Sequence, residues 1–184
     1  MAFMTAARAR GRWFSRSRGL EQGLFDSFHA SLAAQTGRTA RILAWTYCDE
    51  GVCIGGPSDL SVGDETGWQH IGWHQIEKGD WNSETRALRW SLYGGSRGTA
   101  HLHEPARLPE LFRERIAASI VFEKFVPVRG ERGVIISARR DLAHHDGPMT
   151  WHRSLSRGLT WDTPGVEALA ESTIVQLRSE YDIA

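Results

Sequence analysis

Trp68, Trp73, Trp81 and Trp90 place four of the chain's eight tryptophans in one short stretch. Each indole buries a large surface and needs a partner for its N–H. Such a stretch builds either a β-rich core or a binding wall. Its neighbours carry strand periodicity: Leu88, Trp90 and Leu92 fall on one side and Arg89 on the other. Ile71 and Trp73 alternate in the same way within 67–73. A second strand is expected over 75–81 after a bend at His74, and Asn82-Ser83-Glu84-Thr85 supplies the turn into a third over 87–92.

The flanks read as clearly. Leu20, Leu24, Phe25, Phe28 and Leu32 recur at helical spacing, which predicts a helix over 20–34 closed by Gly37. Residues 41–48 and 52–55 form a hairpin, and a short strand follows at 59–62. Tyr93-Gly94-Gly95-Ser96-Arg97-Gly98 reads as a loop. Pro109 opens a short helix over 109–118. Residues 119–128 form the most β-like run of the chain, with Pro127 marking an edge or a bulge. Strands at 133–139 and 149–155 follow. Val166, Leu169, Ala170, Thr173, Ile174 and Leu177 then draw the stripe of a final helix over 164–179, with Thr163 as cap and Pro164 at its first position.

Charge divides the chain unevenly. Residues 1–18 carry Arg8, Arg10, Arg12, Arg16 and Arg18 and no acid, with Trp13 among them. The remainder holds 17 basic against 22 acidic residues, a net of −5, so it offers nucleic acid no overall attraction. The basic leader is either a loose tail or a contact for an anionic membrane surface. No apolar run reaches the roughly 18 residues of a membrane span, and no signal peptide is evident. A cytoplasmic protein is expected, membrane-associated if the leader binds lipid, with one domain over 19–184.

Two cysteines exclude a cysteine-only metal site. A Glu50-Gly51 turn would place Cys48 opposite Cys53, either as a disulfide or as two thiols. The eight histidines suggest His101 and His103, on one face of a strand, with His144 and His145 completing a metal site; exposed loop histidines are the alternative. No nucleophile elbow or phosphate loop appears, and no cofactor is expected. Trp45 and Trp90 read as core. Trp68, Trp73 and Trp81, with His74, either line a peptide groove or join the core. Arg139 and Arg153 form either a basic binding patch or an ordinary solvent face.

Three sequence words go together: Leu43-Ala44-Trp45, Trp73-His74-Gln75-Ile76 leading to Trp81, and Glu114-Arg115-Ile116-Ala117-Ala118-Ser119-Ile120-Val121. With them, over about residues 20–180, the chain resembles a group of actinobacterial pleckstrin-homology-like proteins. The resemblance implies an α+β fold: a curved antiparallel β-barrel with a C-terminal capping helix and an N-terminal helix. It implies no activity. Lipid-binding members of the wider superfold hold phosphoinositides with basic residues at the first hairpin, where this chain has Asp49-Glu50-Gly51. A non-enzymatic binding or scaffold module for a protein or peptide is therefore expected, with a metal-dependent enzyme or sensor using the loop histidines as the alternative.

Overall fold

The computed structural model describes residues 19–181. Three helices and ten strands follow in chain order. Helix α1 (Gln22–Thr36) precedes β1 (Ala44–Cys48), β2 (Gly51–Gly55), β3 (Asp59–Asp64) and β4 (Gly67–Gly72). Strands β5 (Ile76–Asn82), β6 (Ala87–Leu92) and β7 (Arg97–His101) come next. Helix α2 (Leu108–Ser119) then leads into β8 (Ile120–Arg129), β9 (Arg132–Arg139), β10 (Thr150–Leu155) and α3 (Val166–Tyr181).

The strands form three antiparallel sheets, ordered β1-β2-β3-β4, β5-β6-β7 and β10-β9-β8. The fold is α+β, and the expected barrel is not closed. A 3-10 turn at Trp73–Gln75 breaks the ladder between β4 and β5, and α2 separates β7 from β8. The first two sheets meet at a corner through the single bridge Cys48–Leu102, flanked by Asp49 N–H to His101 O and His103 N–H to Tyr47 O. The capping role expected of the last helix is corrected with the barrel: α3 lies on a face of the third sheet rather than in a barrel mouth.

Alternation sorts the side chains into three apolar clusters. On the first sheet, Val52 and Ile54 face α1 and pack with Phe28 and Leu32, beside Trp45 and Trp68. The opposite face carries Cys53, Leu60 and Ile71 into the central core, where Trp73, Ile76, Leu88, Trp90 and the α2 residues Leu108, Leu111 and Phe112 join them. The third cluster belongs to the last sheet and α3: Val134 and Ile136 against Val166, Ala170 and Leu177. The stripe read from the sequence is thus the buried face of α3.

Polar bonds fix α1 on its sheet. Ser27 accepts from the Trp68 indole N–H at 3.0 Å. One turn later, Ser31 Oγ meets His70 Nε2 at 3.0 Å, and His70 Nδ1 meets Ser61 Oγ at 2.7 Å. Ser27 and Ser31 stand one helical turn apart, as two adjacent contacts on one face require.

Several expectations change. Arg97 and Gly98 belong to β7, because Gly98 lies directly opposite Trp90 and a Cβ there would sit 2.3 Å from the indole. Glycine marks a close approach here, not a loop. Helix α3 begins at Val166 rather than Pro164, since Gly165 has φ +81° and interrupts the helical path. The hairpin turns at Asp49-Glu50, which pairs Cys53 with Thr46 and Cys48 with Gly51. Both cysteines are buried free thiols. Burial, aided by the nearby Glu50 charge, pushes Cys48 up to about 12, and burial raises Cys53 as well, so neither is a ready nucleophile.

Phe28 is fully buried between α1 and the first sheet, with its ring 5.3 Å from that of Trp68. Phe28→Ala is expected to lower unfolding free energy by about 3–5 kcal/mol in urea titrations. A loss below about 1 kcal/mol would show that α1 does not dock as described.

Candidate functional site

The tryptophans proposed for a groove do not share one. Trp73 is fully buried: its indole N–H donates to Gly56 O at 3.1 Å and its ring stands edge-on to Phe112. Trp68 lies on the opposite face of the first sheet, beneath α1. Trp81 packs against the central core. Trp68 and Trp81 are half-buried and pack in different clusters, so the three indoles are not brought together along one wall.

The candidate metal ligands are also apart. His101 and His103 meet the β1–β2 turn, with His101 Nδ1 3.0 Å from Glu50 Oε1 and His103 Nε2 2.8 Å from Asp49 Oδ1. Burial pushes the Glu50 carboxyl up, but the His101 ring and backbone N–H together bring it below its ordinary value. These pairs clasp the sheet corner, and Asp49, His101 and His103 border an open cleft of about 770 Å³ that also includes Arg86 and Glu104. His144 lies in the β9–β10 loop, 3.0 Å from Asp141, and His145 beside it is exposed. Among the described residues, no three His, Cys, Asp or Glu side chains come together as a metal site.

Arg139 and Arg153 are not a shared patch. Arg153 holds the start of α3, reaching Glu167 at 3.0 Å and Glu171 at 3.6 Å while its guanidinium lies over Trp161. Arg139 is only 2% exposed. Its Nε donates to Tyr93 Oη at 3.1 Å, and one terminal nitrogen donates to Ile116 O and Ser119 Oγ, both at 2.9 Å. The other donates to Ile76 O at 2.6 Å. All four acceptors are uncharged. Ile116 O lies in the last turn of α2, where carbonyls lack helical partners and the helix dipole is negative. Alternation alone put Arg139 on a sheet face; that α2 and the β4–β5 turn cover that face is a tertiary fact.

A polar junction surrounds Arg139. Tyr93 Oη also meets Ser137 Oγ at 2.9 Å, and the Tyr93 ring stacks on His152 at 3.7 Å and 7°. His74 Nδ1 stands 3.7 Å from Asp141 Oδ1. His74 Nδ1 and His152 Nε2 are shut off from solvent and, among the described residues, have no hydrogen-bond partner. Burial, then the Arg139 and His74 charges, lowers His152 to about 4. Burial also lowers His74, against the opposing pull of Asp141. The junction therefore holds neutral imidazoles beside a buried cation.

A further surface with exposed apolar side chains is the outer edge of β8. This ten-residue strand ends the third sheet and pairs on one side only, with β9. Val121 is 45% exposed and Phe125 47%, with Ile120 beside them. The pairing with β9 slips between Ile120 and Phe122, leaving Val121 as the extra residue of a bulge. Sequence periodicity placed Val121 and Phe125 together, and Pro127 marked the strand as an edge or a bulge. The arginine-rich leader, with Arg8, Arg10, Arg12, Trp13, Arg16 and Arg18, lies outside the described residues.

No protein-family model matches the chain, and no curated protein or solved structure matches it either.

The junction sets a pH dependence. His152 takes up a proton near 6.5 when unfolded but near 4 when folded, so its contribution is full above pH 6.5 and is lost as pH falls toward 4. His74 acts in the same direction. His152→Phe keeps the ring on Tyr93 and removes the proton site. Urea titrations from pH 6.5 to 5 should show stability falling in the wild type and a shallower fall in the variant. Identical slopes would contradict the burial of His152.

Proposed function

We propose that this chain is a non-enzymatic binding module that takes up an extended segment of a partner protein along the free edge of β8. The carrying observation is that edge itself: the longest strand of the fold, unpaired on one side, with Val121 and Phe125 about half exposed. Unpaired backbone N–H and C=O groups select an added strand. Val121 and Phe125 would set its register through apolar contacts, and aromatic residues supply much of the binding energy at protein interfaces. Edge strands are commonly guarded by lysine and proline. Lys124 and Pro127 provide such guards here, with Pro127 limiting pairing at the far end and leaving the Ile120–Val126 segment to receive a partner.

The fold is read as related to that of the actinobacterial pleckstrin-homology-like proteins, on the strength of Trp73-His74-Gln75-Ile76 and its companion words. Phosphoinositide binding at the first hairpin is disfavoured, since Asp49 and Glu50 carry negative charge and already hold His103 and His101.

A photo-crosslinking amino acid at position 125 tests the reading in host cells, with position 175 as control. Val175 is also apolar and exposed, at 69%, but lies on α3 away from the edge. Specific adducts to an extended partner segment are expected at 125 and not at 175, and adding Val121→Lys should reduce their yield several-fold. Equal adducts at both positions, or a yield insensitive to Val121→Lys, would contradict strand addition.

A further inference from the structure

The third sheet and α3 have their own apolar core. Val134, Ile136, Val166, Ala170 and Leu177 form a cluster that shares no residue with the central one. The strands β8, β9 and β10 pack chiefly on each other, and α3 packs on β9. This C-terminal lobe, residues 120–181, is continuous with the body at Ser119–Ile120, where α2 passes directly into β8 and Ile120 adopts an extended conformation. Its other attachments are mostly polar: the four Arg139 bonds, the Tyr93–Ser137 bond, the Tyr93–His152 stack, the His74–Asp141 pair and Arg140 N–H to Ser119 O. Among the described residues, Leu142 is the lobe's apolar side chain that packs on the central core.

We propose that the C-terminal lobe is a separately cored arm hinged at Ser119–Ile120, and that Arg139 is the catch that holds it in one orientation. Apolar burial is non-directional and varies with the area removed from water. A junction of directional hydrogen bonds has a closed geometry and an open one in which water replaces the protein acceptors. Arg139 suits this part because its bonds converge on three separate pieces of the body: the end of α2, the start of β5 and Tyr93 after β6. Opening would hydrate a buried cation, which offsets part of the lost bonding. The two neutral imidazoles and Asp141 stand at the same seam. This inference does not depend on strand addition at β8.

Distance measurement by electron paramagnetic resonance tests it. Spin labels are attached at Ala34→Cys on α1 and Val175→Cys on α3, both exposed, while Cys48 and Cys53 are buried. The otherwise wild-type protein should give one narrow distance distribution. Arg139→Met should give a longer or broader one while amide hydrogen exchange remains slow in the cores of both lobes. Tyr93→Phe, a gentler change that removes one acceptor of Arg139, should shift the distribution in the same direction by a smaller amount. Unchanged distributions in both variants would overturn the hinge. Loss of protection throughout Arg139→Met would overturn the separate cores, because the junction would then be part of a single cooperative unit.

Discussion

A guanidinium enclosed where α2 ends and β9 ends ties together parts of this chain that share little apolar surface. Arg139 gives its hydrogen bonds to Ile76 O, Ile116 O, Ser119 Oγ and Tyr93 Oη. Burying a cation is tolerable only when the protein solvates it, and here four of the five guanidinium N–H groups are bonded. The acceptors are well chosen. The last turn of a helix offers partly negative carbonyls, and the Tyr93 hydroxyl is itself fixed by Ser137. These bonds join the end of β9 to α2, to the start of β5 and to Tyr93.

The rest of the molecule uses aromatic residues as mortar. Trp73 turns inward at the break between β4 and β5, Trp90 lies against Gly98, and Trp68 joins α1 to the first sheet. With the indoles occupied in this way, the surface left for recognition is not the tryptophan-rich stretch. Under the proposed function it is the edge of β8, where Phe125 stays half exposed beside its cross-strand partner Ile135. A binding role supported by a strand edge, rather than by a pocket, accords with shallow clefts whose histidines are engaged with carboxylates at the sheet corner.

Local chemistry made much of the fold legible. The periodicity of α1, the turn at residues 82–85, the position of Pro127 and the apolar stripe of α3 all depend on residues close in sequence, and each reading agrees with the structure to within a few positions. Long-range facts were not legible. Glycines at 94, 95 and 98 signal a loop, yet Gly98 is required beneath an indole eight residues earlier. Arg139 follows alternating apolar residues and carries a charge, so it reads as a solvent-facing residue. Its burial depends on α2 and Tyr93, which arrive from elsewhere in the chain. Barrel closure likewise depends on which strand edges meet, and the alternation of side chains is silent on that. Among the proposed site residues, His101 ends β7 and His103 lies just beyond it, and only the fold reveals that the β1–β2 turn supplies carboxylates to both.

The central claim is that the Arg139 guanidinium is enclosed at the seam, with four of its five N–H groups bonded to the protein. Nitrogen-15 resolved NMR of the arginine side chains at neutral pH addresses it directly. The account predicts separate, slowly exchanging guanidinium protons for Arg139, in contrast to rapid exchange at the partly exposed Arg153. Averaged Arg139 signals that exchange with water as fast as those of Arg153 would contradict it.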